Sequence, residues 1–171
     1  MGGAAERVSM IPLFLFLHVM GAIAVFGPTF VFPVIASQAR KSPQNVPFAV
    51  VLSAFIERRI VIPGAIVQGI TGVVLIFLIG ADLTSSAYRW LVGGIILYLI
   101  AIGFAILVQD KNGEKMVELT RNMPSGPPPA GAPAGPPPEI VEMGKKLQQG
   151  GMLLTVLIVL IVILMVVKPT F

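Results

Sequence analysis

Four long stretches without a charged side chain constrain this chain more than any other feature of its sequence. No Asp, Glu, Lys or Arg occurs over residues 10–36, 60–81, 90–109 or 150–167. A helix needs about 20 apolar residues to cross a hydrocarbon core of roughly 30 Å. Only 12% of all residues are charged, which is about half of what is usual in a soluble domain. These stretches predict a membrane protein that crosses the bilayer four times.

We therefore predict an all-α fold, a bundle of four transmembrane helices that forms one membrane domain over residues 1–171. The spans are predicted over residues 10–36, 60–81, 89–109 and 150–168. The first run is longer than the ~7–15 apolar residues of a secretory signal peptide, so it is expected to remain as a span. It contains Gly27, Pro28 and Pro33, which membrane helices tolerate where neighbouring groups, here the Thr29 hydroxyl, satisfy the freed backbone. The first span is therefore expected to be irregular.

The distribution of basic residues predicts the orientation. Nine of the twelve Lys and Arg residues fall in the first and third loops, and three lie at the termini or in the second loop. In membrane proteins, cytoplasmic loops shorter than ~60 residues carry the excess of Lys and Arg. We therefore expect both termini outside and the first and third loops in the cytoplasm.

The third loop combines a proline-rich segment with two polar helical stretches. Residues 124–138, "PSGPPPAGAPAGPPP", contain eight prolines and no residue suited to a buried core, which predicts a disordered linker biased to polyproline II. The segment also resembles ligands of SH3 and WW domains, although a spacer is the preferred interpretation. The flanking stretches "DKNGEKMVELTR" and "EIVEMGKKLQQ" are expected to continue the third and fourth helices.

Residues suited to the lipid interface occur at both ends of the second span. Apolar residues of "FAVVLSAFIERR", residues 48–59, recur at the spacing of one helical face, which predicts a helical extension of the second span at the headgroups. Arg58 and Arg59 are then expected to reach lipid phosphates. Beyond the opposite end of this span, Trp90 has the amphipathic side chain that membrane interfaces favour.

The second span carries the clearest signal for helix packing. Ala65, Gly69 and Gly72 form a ridge of small residues beside Gln68 and Thr71. Small residues let helices approach closely, and buried amides and hydroxyls then hydrogen-bond across the contact. We predict that Gln68, Gly69, Thr71 and Gly72 form a helix–helix interface.

His18, the only histidine in the chain, lies inside the first uncharged run. One interpretation is an interhelical hydrogen bond to a carbonyl, to Gln68 or to Thr71. The other is a functional contact, as an axial ligand for haem, a copper ligand or a quinone contact, because imidazole commonly ligates such centres. The chain has no cysteine and no metal-ligand cluster, catalytic triad or Walker loop, so no metal site and no catalytic residue is predicted.

Four short segments resemble a family of predicted bacterial integral membrane proteins that is described only as a domain of unknown function. These segments are "LFLHVMGAIAVFGPTFVFP", "ITG", "YRWL" and "LMVVKP". The resemblance implies a four-helix fold in the bacterial inner membrane and no specific activity. The histidine followed by glycine in the first helix is also distantly similar to copper-resistance D-type membrane domains and to the four-helix membrane oxidase of the haem pathway, which carry further histidines or a lysine in their helices.

We expect a structural or accessory component of a membrane complex rather than an enzyme. We expect the protein to lie in the lipid bilayer. Its expected partners are other membrane subunits or a second copy of the chain, and no nucleic-acid partner is expected. The alternative is a membrane electron-transfer protein that binds haem or copper through His18. A small transporter comes third, because no carboxylate, lysine or arginine lies deep in a span to hold a proton.

Overall fold

Four helical segments are long and apolar enough to cross a membrane, and they account for nearly all of the structure. The computed structural model describes residues 2–41, 43–121 and 137–169, and no strand occurs in this part of the chain. The segments, called spans one to four, are Ser9–Ala39, Val46–Ile79, Ser86–Arg121 and Pro138–Val167. The predicted all-α fold with four spans is confirmed. The proline-rich linker predicted over residues 124–138 lies, except for its last two residues, outside the described part.

The first span is interrupted near its middle. Its elements are α1 (Gly2–Phe26), a 3₁₀ turn (Gly27–Phe30) and α2 (Phe32–Lys41). Pro28 has no backbone N–H to continue the α-helical pattern. The hydroxyl of Thr29 donates to the carbonyl of Phe26 at 2.6 Å, so this carbonyl is satisfied at the break. The predicted irregularity of the first span is confirmed.

The second span changes its helical winding near its start. A short 3₁₀ turn (Pro43–Asn45) leads into α3 (Val46–Ile56), a π-helical stretch (Glu57–Val61) and α4 (Ile62–Ile79). Because Pro63 lacks an N–H and its ring crowds the carbonyl four residues earlier, a wider turn before it relieves the conflict. The helix ends at Gly80, whose φ of +63° is left-handed, as is common at helix C-termini.

The third and fourth spans extend beyond their uncharged runs. The third contains a 3₁₀ turn (Ser86–Tyr88), α5 (Arg89–Phe104), a π-helical stretch (Ala105–Gln109) and α6 (Asp110–Arg121). The fourth is one helix, α7 (Pro138–Val167), with proline in its first turn, where a missing N–H costs nothing. The predicted helical continuation of both polar stretches is confirmed.

The spans pack as two antiparallel hairpins. Helix α1 packs along α4, and α5 packs along α7, while α3 contacts α6 at the polar end of the molecule. At that end Met116, Ile140 and Met143 form a small buried cluster. Of each span's most apolar window, only 6–11% is buried, so most apolar side chains of the spans face outward, as a lipid environment requires.

Candidate functional site

The main polar cluster lies between α1 and α4. Nδ1 of His18 is 2.8 Å from Oγ1 of Thr71, and the Thr71 hydroxyl donates to the carbonyl of Gln68 at 3.0 Å. The single hydroxyl proton serves only one of these two bonds; if it serves the carbonyl, the oxygen accepts from an Nδ1–H of the imidazole. In that arrangement a neutral His18 carries its proton on Nδ1 and has a lone pair on Nε2.

Gln68 completes the cluster from the opposite side. Its amide nitrogen donates to the backbone carbonyl of His18 at 2.8 Å, and the residue is buried. Two glycines make room for these side chains. A Cβ at Gly21 would lie 2.6 Å from Oε1 of Gln68, and one at Gly72 would lie 3.2 Å from Cε1 of His18. The close approach of α1 and α4 therefore depends on both glycines.

A second polar contact joins the two hairpins. The hydroxyl of Tyr98 on α5 donates to the carbonyl of Ala65 on α4 at 2.9 Å. The Tyr98 ring lies over Gly69, where a Cβ would come within 2.9 Å of Cζ. Thus Gln68, Thr71 and Gly72 meet α1, whereas Gly69 meets α5, and the four residues predicted for packing serve two different interfaces.

An ionic network lies where the second and third spans become polar. The guanidinium of Arg58 donates to both carboxylate oxygens of Asp110, at 2.6 and 2.9 Å, and also to Glu114. This two-point geometry suits a planar guanidinium. Arg59 is exposed. The lipid-interface role of both arginines stays a prediction, and Arg58 has protein carboxylates as partners in the structure.

At the other end of the spans, Trp90 connects α5 with α7. Its indole N–H donates to the carbonyl of Ala87 at 2.9 Å, and the Lys168 ammonium lies 5.5 Å from the ring centre. Such a cation–π contact holds the two helix ends together at an exposed site. The interfacial position of Trp90 in a bilayer stays a prediction.

Gln109 is a buried polar residue that sequence reasoning did not select. Its amide nitrogen donates to the carbonyl of Leu147 at 3.1 Å. Its Oε1 is buried and has no hydrogen-bond partner among the described residues. It faces Gly150, which has no side chain to block it. Because Gln109 ends the third uncharged run, the sequence indicates a span boundary there rather than a helix contact.

The chemistry available in these clusters comes from hydrogen-bonding side chains, the imidazole of His18 and the charged side chains around Arg58. Within residues 2–41, 43–121 and 137–169, no group of three or more His, Asp or Glu side chains is placed to hold a metal ion. His18 is the one imidazole in the chain. A haem or copper centre at this position would therefore receive a single imidazole ligand from one copy of the protein.

Comparison with known proteins gives a family and no further relative. Neither the curated proteins nor the solved structures include a match to this chain. The model of the family described as predicted integral membrane protein, DUF2269, matches residues 12–169. This match includes all the residues of the polar clusters and nearly the whole of each span. The chain therefore belongs to the DUF2269 family of predicted integral membrane proteins.

Proposed function

We propose that this protein is a structural or accessory component of a complex in the bacterial inner membrane. The observation that carries the proposal is the use of polar span residues in contacts between helices. His18 and Thr71 bond to each other, while Gln68 and Tyr98 bond to the backbone of a neighbouring helix. Interhelical hydrogen bonds of this kind contribute ~0.6–2 kcal/mol each to membrane helix association. Side chains used in this way support assembly rather than catalysis.

The outward surface of the spans supports the same proposal. Each span carries several large apolar residues that are more than half exposed, among them Phe16, Phe77, Leu99 and Val166. In a membrane such a surface contacts acyl chains or the spans of another polypeptide. An accessory subunit uses part of this surface to bind its partner.

Site-specific photocrosslinking in the native membrane tests this proposal. A benzophenone amino acid replaces Phe16, Phe77, Leu99 or Val166 in separate variants, and the buried Leu157 serves as the control position. We expect at least one of the four surfaces to form a discrete adduct with a second polypeptide, whereas the control position forms only contacts within the chain. Lipid adducts alone at all four surface positions would contradict an accessory role.

A second candidate function rests on the tautomer of His18. Where the Thr71 hydroxyl donates to the Gln68 carbonyl, Thr71 accepts from an Nδ1–H of His18, and Nε2 keeps its lone pair. Metal-ligating histidines commonly use one ring nitrogen to bond a neighbouring acceptor, which orients the other nitrogen toward the metal. This arrangement favours His18 as an axial ligand of haem or as a copper ligand in an electron-transfer protein.

Absorption spectra and metal analysis separate the two candidates. The protein is purified from cells supplied with a haem precursor or with copper, together with His18→Gln and His18→Leu. If His18 is the ligand, wild type shows a Soret band or stoichiometric copper, and both variants lose it equally because neither supplies an imidazole nitrogen. A colourless wild type without copper would exclude His18 as a ligand of haem or copper, and its structural role would remain.

We further propose that both termini face outward. The nine basic residues of the first and third loops support this orientation, against three elsewhere. Arg58 and the polar helix α6 belong to the same end of the molecule, while Trp90 and Lys168 belong to the other. The basic end is then cytoplasmic.

A further inference from the structure

A groove lies between the third and fourth spans where both change from apolar to polar. Its volume is about 350 Å³, and it is a shallow, open depression rather than an enclosed cavity. Gly150 forms part of the lining and adds no side chain of its own. Neither His18 nor a residue of the ionic network of Arg58 lines the groove.

Polarity changes along this groove in the same direction on both helices. On the third span, Phe104 and Val108 are followed at the same four-residue spacing by Asn112. On the antiparallel fourth span, Leu153 lies in the apolar part, and Gln149 and Lys146 precede it. One end of the groove therefore offers hydrocarbon contacts, and the other offers two amides and an ammonium group. This is the pattern of a lipid, whose charged headgroup continues into an acyl chain.

The charges around the polar end favour an anionic headgroup. The ammonium of Lys146 lies 2.8 Å from the carboxylate of Glu142, and Lys115 and Lys145 also act on that carboxylate. Since Glu139 lines a neighbouring depression together with Glu142, Lys115 and Lys146, three lysines and two glutamates lie near this end, which leaves one net positive charge. Lys146 is about half exposed, and an ammonium has three donors, so its pairing with Glu142 leaves donors for a phosphate.

We propose that this groove binds one anionic phospholipid. The headgroup phosphate accepts from Lys146, while the side-chain amides of Asn112 and Gln149 bond the remaining headgroup oxygens. One acyl chain lies against Phe104 and Leu153. The site does not depend on the proposed accessory function, since a specific lipid can stabilise this helix pair in a protein of any activity.

Native mass spectrometry of the full-length protein in detergent, titrated with phosphatidylglycerol, tests the site. Lys146→Gln should weaken binding about fivefold, because one basic side chain near a headgroup has an effect of this order. The matched control Lys145→Gln removes an exposed lysine that acts on Glu142 but does not line the groove, so it should weaken binding less than Lys146→Gln does, by about twofold, because the effect of a charge in solvent falls with distance. Glu142→Gln should strengthen binding, because it frees Lys146 and removes the competing carboxylate.

Two further measurements distinguish a lipid site from general charge attraction. Val108→Trp places a large ring in the apolar part of the groove and should reduce phosphatidylglycerol binding, whereas inorganic phosphate at millimolar concentration should not displace the lipid. Thermal unfolding in detergent checks that each variant is folded. If Val108→Trp does not fold, Glu142→Gln at an exposed position still tests the site. Equal losses for Lys146→Gln and Lys145→Gln, or equal affinity for phosphatidylcholine, would overturn the proposal.

Discussion

Gly64 lies where the second span packs closely against Val25 of the first. A Cβ at this position would be 3.4 Å from Cβ of Val25 and would overlap one of the Val25 methyl groups. Val25 is buried, and a β-branched side chain in a helix has essentially one χ1 rotamer. The clash could therefore be relieved only by separating the two helices. Gly103, in contrast, has no atom within 4 Å of its would-be Cβ.

These two glycines give a matched pair of alanine substitutions. Gly64→Ala is expected to lower the free energy of unfolding by about 1–3 kcal/mol, the usual cost of overpacking. Gly103→Ala is expected to raise it by up to about 1 kcal/mol, because alanine favours the helix more than glycine does. Thermal unfolding in detergent, followed by circular dichroism, measures both. A stabilising Gly64→Ala would show that the first two spans are not closely packed.

The hydroxyls of Thr71 and Thr155 allow a comparison between a hydrogen bond that joins two helices and one within a single helix. The hydroxyl of Thr71 hydrogen-bonds Nδ1 of His18 on another helix, whereas the hydroxyl of Thr155 donates to the carbonyl of Gly151 on its own helix at 2.9 Å. Thr71→Val leaves Nδ1 of the imidazole without this partner and should cost about 1 kcal/mol of stability. Thr155→Val should be nearly neutral, because its carbonyl partner keeps its helical hydrogen bond.

Chemical denaturation of both threonine variants in mixed micelles gives the comparison. We expect Thr155→Val to be nearly as stable as wild type. Thr71→Val should be less stable than both. If both variants unfold at the same denaturant concentration, the His18–Thr71 bond contributes no net stability to the membrane form.

At the scale of elements, the ionic network connects the two π-helical stretches. Arg58 belongs to the stretch Glu57–Val61, and Asp110 directly follows the stretch Ala105–Gln109. A π turn shifts the register of the residues that follow it. We infer that the wider turns set the rotation at which Arg58 meets Asp110 and Glu114 across two spans.

Lysine substitutions test whether the geometry of Arg58 matters beyond its charge. Arg58→Lys keeps the charge and loses the two-point contact with Asp110. Since the Arg58 side chain is 45% exposed, solvent screening limits the expected loss to about 0.5–1 kcal/mol. Arg59→Lys, at an exposed neighbouring position, should leave the melting temperature unchanged. A salt titration adds a second check, because the difference between the two variants should shrink at high ionic strength.

The fold could be read from the sequence where a single physical rule governs it. Lipid requires long apolar helices, so the four spans and the break near Pro28 were predictable from local sequence. The partner of Arg58 was not, because Asp110 lies 52 residues away and both side chains are equally suited to solvent. Gly64 was also missed as a packing residue, since glycine after Pro63 indicates a turn in sequence and its contact with Val25 appears only in three dimensions.

The polar clusters also contain features that the sequence predicts and features that it does not. Thr71 and Gln68 could be selected as partners of His18 because few polar groups occur inside the spans, which leaves a short list of combinations. Their roles could not be distinguished, since sequence does not show that Thr71 meets the imidazole while Gln68 meets the backbone. Tyr98 and Gln109 form their contacts with backbone carbonyls, and every residue offers such an acceptor.

At the scale of the whole molecule, the orientation of the two hairpins decides which surfaces meet the cytoplasm. The chain contains no cysteine, so a single introduced thiol reports its own position. Ser86 lies at the turn between the second and third spans, and Glu118 lies on α6; both are exposed. If the termini face outward, the turn is outside and α6 is inside.

An impermeant maleimide is therefore expected to label Ser86→Cys in intact spheroplasts and to label Glu118→Cys only after lysis. Both thiols should react after detergent solubilisation, which controls for reactivity. The positive-inside bias predicts this pattern because nine basic residues lie on the side of Glu118. The reverse pattern would place the groove near Lys146 on the outer face. The lipid proposed for that groove would then come from the outer leaflet, so the labelling experiment also determines which leaflet supplies it.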